Sequence, residues 1–101
     1  MMIERNEFRI KFGKMKDALS LWKEMIDEMS KIKDGPKVRI MTDITGPSYT
    51  LVVELQLRDF IHIGLKNYQW LSAEKVGELY QKFIPLCESS ERTLYKIEQQ
   101  N

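Results

Sequence analysis

The stretch "TDITGPSYTLVVELQL", Thr42 to Leu57, decides the fold. After the Gly46-Pro47 turn signal it alternates with period two. Leu51, Val53, Leu55 and Leu57 project to one side, and Thr50, Val52, Glu54 and Gln56 to the other. This is a strand with one core face and a second face whose partner must be found. The segment before it, "KVRIMTDI", also alternates, with Val38, Ile40 and Ile44 against Arg39, Met41 and Asp43. Two alternating runs on either side of Gly-Pro predict an antiparallel hairpin with a loop longer than two residues.

Outward from the hairpin the pattern changes period. Residues 3–12, "IERNEFRIKF", alternate as a strand ended by Gly13: Phe8, Ile10 and Phe12 share one face, and Arg5, Glu7, Arg9 and Lys11 the other. In "KMKDALSLWKEMIDEMSKIK" the residues Met15, Ala18, Leu19, Trp22, Met25, Ile26, Met29 and Ile32 recur at three- and four-residue steps, the stripe of an amphipathic helix. Asp34-Gly35-Pro36 stops it. Beyond the hairpin, "RDFIHIGLKNYQW" reads as a short helix and a loop. Ser72 is placed to cap a second long helix with Val76, Leu79, Tyr80 and Phe83 as its stripe, and Pro85 kinks or ends it. "ERTLYKIE" closes the chain as a strand with Tyr95 and Ile97 on one side and Leu94 on the other. The order β-α-β-β-α-β predicts an α+β fold of ferredoxin-like type, a four-stranded antiparallel sheet with both helices on one face.

Composition limits the function. The 101 residues predict one domain spanning 1–101, with a core of modest size. Lys and Arg number 16 against 15 Asp and Glu, so no global field attracts nucleic acid or an anionic membrane, and neither is an expected partner. The start "MMIERNEFRI" carries charge where a signal peptide needs an apolar run, and no apolar run is long enough to span a bilayer. The one cysteine, Cys87, has no partner for an intrachain disulfide. A cytoplasmic setting is expected.

The uncovered sheet face is expected to hold Arg5, Glu7, Arg9, Lys11, Arg39, Met41, Asp43, Thr50, Val52, Glu54 and Gln56, four basic and three acidic residues among them. Antiparallel sheets tolerate such a face in water. The alternative is a second copy, with opposite charges pairing around Met41 and Val52. The segments "ERNEFRIKFGK", "RIMTDITGPSYTLVVE" and "PLCESSERTLYKIE" resemble, in that order, a small bacterial family of NIPSNAP-like proteins of the dimeric α+β barrel superfamily. The resemblance covers nearly the whole chain. It implies a homodimer made through the uncovered sheet faces, which close into a barrel.

Candidate chemistry is sparse, and no catalytic residue stands out. His62, the sole histidine, lies between isoleucines in "FIHIG". Without a second histidine or a Cys/His cluster no metal site is expected. The glycines form no phosphate loop, and no cofactor is expected. Ser72-Ala-Glu-Lys75 matches S-x-x-K but lacks the companion motifs of a β-lactamase, and reads as a helix cap. Cys87 has Glu88 and Glu91 close in sequence, which disfavours a thiolate. The aromatic residues offer more. Trp22, Tyr49, Tyr68, Trp70 and Tyr80, with His62, fall on or near the helix-covered side. They could line a mostly apolar small-molecule pocket, or fill the core. The same superfamily includes antibiotic-biosynthesis monooxygenases that need no cofactor, so an enzyme of that kind is the second reading. Its haem-degrading members use an asparagine, a tryptophan and a histidine. Asn6 lies in the first strand as theirs does, but His62 here precedes Trp70, the reverse of their order. A nucleic-acid surface on such a sheet would need exposed aromatic residues on the strands, and mixed charges stand there instead.

Overall fold

The fold was obtained as a computed structural model, which describes residues 1–31, 35–57 and 74–101. Strand β1 (Met2–Ile10) leads through a turn at Gly13 into helix α1 (Met15–Met29). Strands β2 (Lys37–Thr42) and β3 (Thr50–Leu57) form the hairpin. Helix α2 (Glu74–Phe83) runs into a single 3-10 turn, Ile84–Leu86, and then strand β4 (Cys87–Lys96). The strands pair antiparallel in the order β2-β3-β1-β4, the ferredoxin-like arrangement.

The register explains the two faces. Phe8 stands opposite Leu51, Asn6 opposite Val53 and Glu4 opposite Leu55 on β1 and β3. Ile40 and Val38 continue those rows on β2. This face lies under the helices, and Leu51, Val53, Leu55 and Leu57 are all buried on it. Helix α1 contributes Ala18, Trp22, Met25 and Met29 at steps of four, three and four, and α2 contributes Val76, Leu79 and Phe83. Phe8 is the meeting point of the three layers: its ring is 4.9 Å edge-on from Phe83 and 6.1 Å from Trp22, while Trp22 and Phe83 lie 5.4 Å apart. The two edge-to-face pairs, Phe8–Phe83 and Trp22–Phe83, add about 0.5–1.5 kcal/mol each beyond burial.

Both ends of the alternating runs depart from the pattern. Phe12 was expected on the core face, but β1 ends at Ile10 and Phe12 is 84% exposed on the following turn. Ile44, expected in line with Val38 and Ile40, lies past the end of β2 and is 98% exposed. Alternation in sequence continues only while the ladder does. The ladder stops where Asp43 accepts the Thr50 N–H through its side chain, at 2.9 Å, and a seven-residue loop opens. Tyr49 closes that loop with φ 62°, in the left-handed region that costs a non-glycine residue about 1–2 kcal/mol. Its carbonyl accepts the Ile10 N–H at 2.8 Å, which holds it there. Strand β4 begins earlier than the sequence pattern indicated, at Cys87, with a register shift opposite Arg9 and Ile10. Its Tyr95 stands opposite Ile3 on the open face and Leu94 opposite Glu4 on the covered one. Pro85 sits in the 3-10 turn that ends α2.

Candidate functional site

The covered side of β1 holds a polar group that the hydrophobic pattern does not announce. Counting back from Phe8 by twos places Asn6 and Glu4 toward the helices. Glu4 is only 5% exposed. Its Oε2 accepts a hydrogen bond from Asn6 Nδ2 at 3.2 Å, and its Oε1 lies 3.6 Å from Arg92 Nη1 on β4. The strand register sets this up, because Asn6 is opposite Arg92 and Glu4 is one row further along. Sequence reading missed Glu4 and Arg92. The signal was the parity of β1 itself, which makes Glu4 a core-side position whatever its charge.

Tyr80 connects this group to the aromatic layer. Its ring is 6.4 Å from Trp22, nearly perpendicular, and 6.0 Å from Phe83. Burial pushes the Tyr80 phenol above its ordinary pKa. The nearby Cys87 and Glu4 push in the same direction, and Arg92 opposes them. Trp22 is 2% exposed, and its indole Nε1 is buried with no hydrogen-bond partner among the described residues. An indole N–H is a donor only, so an acceptor is what the position lacks. A donor at Trp22, a phenol at Tyr80 and the Glu4, Asn6 and Arg92 side chains are thus the polar groups on the side of the sheet that carries the Phe8, Trp22 and Phe83 rings.

Of the residues expected to line a pocket, Trp22 and Tyr80 come together here. Tyr49 sits in the hairpin loop, where its ring neighbour is Phe12 at 5.5 Å, although it also packs against the edge of the core. His62, Tyr68 and Trp70 lie outside the described residues, as does the Ser72 cap. Cys87 is held in its thiol form, its pKa pushed up to about 11 by burial, with Lys11 opposing. The cause is desolvation, not the carboxylates adjacent in sequence. Its Sγ donates to the Phe83 carbonyl at 3.8 Å. Among the described residues no three His, Cys, Asp or Glu side chains are grouped to hold a metal ion. No helix among them is long and apolar enough to cross a membrane.

The second surface of interest is the open sheet face. Arg5, Glu7, Arg9, Arg39, Met41, Thr50, Val52, Glu54 and Gln56 are on it, as the alternation indicated, whereas Lys11 and Asp43 lie past the strand ends. Glu54 is gripped from both sides. Its Oε1 accepts from Arg39 Nε at 2.7 Å and pairs with Arg39 Nη2 at 2.6 Å, while its Oε2 accepts from Arg5 Nη1 at 3.3 Å. Arg5 also reaches Glu7 at 3.3 Å. On this face Val52 is 8% and Glu54 9% exposed within a single chain. They border a groove of about 470 Å³ that also includes Met41 and the hairpin loop.

No protein-family model and no curated protein matches the chain. Solved structures do. A NIPSNAP domain protein from Burkholderia xenovorans superposes with a TM-score of 0.79 at 17% identity, over 96% of this chain and 94% of its own. A NIPSNAP family protein from Agrobacterium tumefaciens gives 0.79 at 20% identity, over 94% and 90%. A cofactor-independent oxygenase from Streptomyces nogalater gives 0.75 at 13% identity, over 98% and 94%. At these identities the likeness is one of fold: over nearly its whole length this chain is NIPSNAP-like in architecture, a ferredoxin-like α+β fold shared with cofactor-independent oxygenases.

Proposed function

We propose that the protein is a homodimeric binding protein. Two open sheet faces meet in a dimeric α+β barrel, and each copy holds a small, mostly apolar molecule between its helices and its sheet. The observation that carries the ligand is the indole N–H of Trp22, 2% exposed, without a hydrogen-bond partner among the described residues and with the Tyr80 ring beside it. A buried donor without an acceptor costs about 1–3 kcal/mol. A ligand oxygen or nitrogen accepting from it would remove that cost. Supporting the dimer are Met41 and Val52 set among charges of both signs that a second copy can match. Native mass spectrometry of the purified protein tests the ligand: a retained mass that Trp22→Phe releases is expected. Ligand-free spectra both before and after extraction with lipophilic candidates would sink the reading.

A second reading, a monooxygenase-like enzyme without a cofactor, rests on the fold shared with the Streptomyces oxygenase and on a carboxylate, an amide and a phenol in one layer. Oxygen uptake with an electron-rich phenol, lost on Asn6→Ala, is its expected signature. Uptake equal to buffer across a panel of such phenols leaves binding as the function.

A further inference from the structure

The open sheet face is a nearly square patch. The register lines its residues in three rows across β2, β3, β1 and β4: Lys37–Gln56–Ile3–Tyr95 at one end, Arg39–Glu54–Arg5–Thr93 in the middle, and Met41–Val52–Glu7–Glu91 at the other. Strands lie about 4.8 Å apart and alternate residues about 6.8 Å apart, so the patch measures about 14 Å on each side. Its corners differ in kind. Lys37 and Glu91 stand at diagonally opposite corners, both exposed, and neither has an ion-pair partner among the described residues. Met41 and Tyr95 occupy the other two corners, and Tyr95 is 51% exposed. Between the corners, Arg39 remains mostly exposed while it grips Glu54, and Glu7 is half-exposed beside Arg5. Arg9, one row further out, is bonded to the Ser48 carbonyl.

Two copies of this face meet about a two-fold axis lying between them, and the corners discriminate among the directions of that axis. An axis across the strands sets Arg39 on Arg39 and Glu54 on Glu54. An axis along the strands sets Lys37 over Tyr95 and Glu91 over Met41, and matches neither charge. The diagonal through Lys37 and Glu91 sets each of them on its own counterpart, like charge on like. About the diagonal through Met41 and Tyr95 the unmatched charges find their opposites. Lys37 then falls over Glu91 of the second copy and Arg39 over Glu7 of the second copy, while Met41 and Tyr95 each meet their counterparts on the axis. Like charges facing each other across an interface are costly, and opposite ones fix its register.

We propose that the homodimer is built about the Met41–Tyr95 diagonal, with Lys37–Glu91 and Arg39–Glu7 pairs between the copies, each formed twice. This rests on the homodimer reading given above and adds to it the orientation of the copies and the residues that set it. A half-turn about a diagonal of the patch makes the strands of the two sheets cross at about 90°, one of the two ways in which sheets pack face to face. A face with a positive and a negative corner matches itself after such a turn. A nucleic acid or an anionic membrane presents one sign only, and would repel Glu7 and Glu91.

Sedimentation of a dilution series of the full chain at low salt tests this. Glu91→Lys and Lys37→Glu should each weaken the dimer about tenfold, because each turns two attractions into two repulsions, and the double variant should return to within about threefold of the unaltered chain. Both positions are exposed and without an ion-pair partner in their own chain, so the circular dichroism of all three variants should be unchanged. Tyr95→Cys in a Cys87→Ser background should form a disulfide-linked dimer on mild oxidation, and Lys37→Cys in that background should not. A dimer that Glu91→Lys leaves intact, or that the double variant fails to restore, overturns the orientation and leaves the homodimer standing. So does a chain that fails to cross-link through Tyr95, or that cross-links through Lys37 and so selects the other diagonal. A monomeric unaltered chain overturns both the orientation and the homodimer.

Discussion

At the scale of single residues, the chemistry of the covered face depends on a carboxylate placed where a hydrophobic residue is usual. Glu4 is tolerable there because Asn6 donates to it and Arg92 lies within ion-pair distance. Arg92 is half-exposed, so solvent weakens the pair. Arg92→Met is expected to cost about 1 kcal/mol, and Glu4→Gln in the same chain should recover much of it. A double-mutant cycle from urea unfolding checks this, and additive losses would show that the pair is not coupled. Cys87 gives a pH prediction with a definite sign. Its folded pKa is raised, so the folded state holds the thiol proton more tightly than the unfolded chain. The associated stability is complete below the ordinary thiol pKa and is lost as pH rises toward about 11. Alkylation by iodoacetamide should therefore keep accelerating about tenfold per pH unit past the point where a free thiol levels off. A plateau near the ordinary value would mean that the site is wetter than its burial implies.

At the scale of elements, α1 is held by its buried stripe and not by its ends. Lys14 contributes no cap, and the stripe Ala18, Trp22, Met25 and Met29 compensates through contact with the sheet and α2. Lys14→Ser should therefore stabilise the fold by about 0.5–1 kcal/mol. That corresponds to a rise in Tm of roughly 2–8 °C for a domain of this size. If instead Tm falls, Lys14 contributes to stability through a contact outside the helix dipole argument. The same element was legible in sequence because its apolar residues repeat every three or four positions. Its register on the sheet was not, since the period names a face without naming what lies opposite. The ring triad of Phe8, Trp22 and Phe83 draws on three elements distant in the chain, and only packing brings it together.

At the scale of the molecule, the open face is the feature that a second copy would complete. A stable homodimer should bury about 1,200–2,000 Å² in total. Light scattering should then report twice the 12.0 kDa chain mass. Val52 is a poor probe, because it is already buried within its own chain, between Glu7 and Met41 on the neighbouring strands, and a charge there would destabilise a monomer as well. Met41 is only partly buried, so Met41→Asp should dissociate the dimer while costing the single fold little. Unchanged dimer mass in that variant would remove the open face from the interface.

The linear pattern alone determined the element order, the antiparallel hairpin and the division of each strand into two faces. Period and turn chemistry are local properties, and they act before any distant contact forms. Tertiary structure decided what each face meets and where each pattern ends. Phe12 and Ile44 continue an alternation on paper but lie beyond the last ladder bond, so they face solvent. Glu4 and Arg92 are 88 positions apart and become partners only because β4 pairs with β1. Trp22 and Tyr80 meet because two helices share one side of the sheet, while Tyr49, equally aromatic, is held at the loop end by a backbone bond to Ile10. Side-chain type specifies what a residue can do, but which residues do it together is set by strand pairing and helix docking, whose partners no local window of sequence contains.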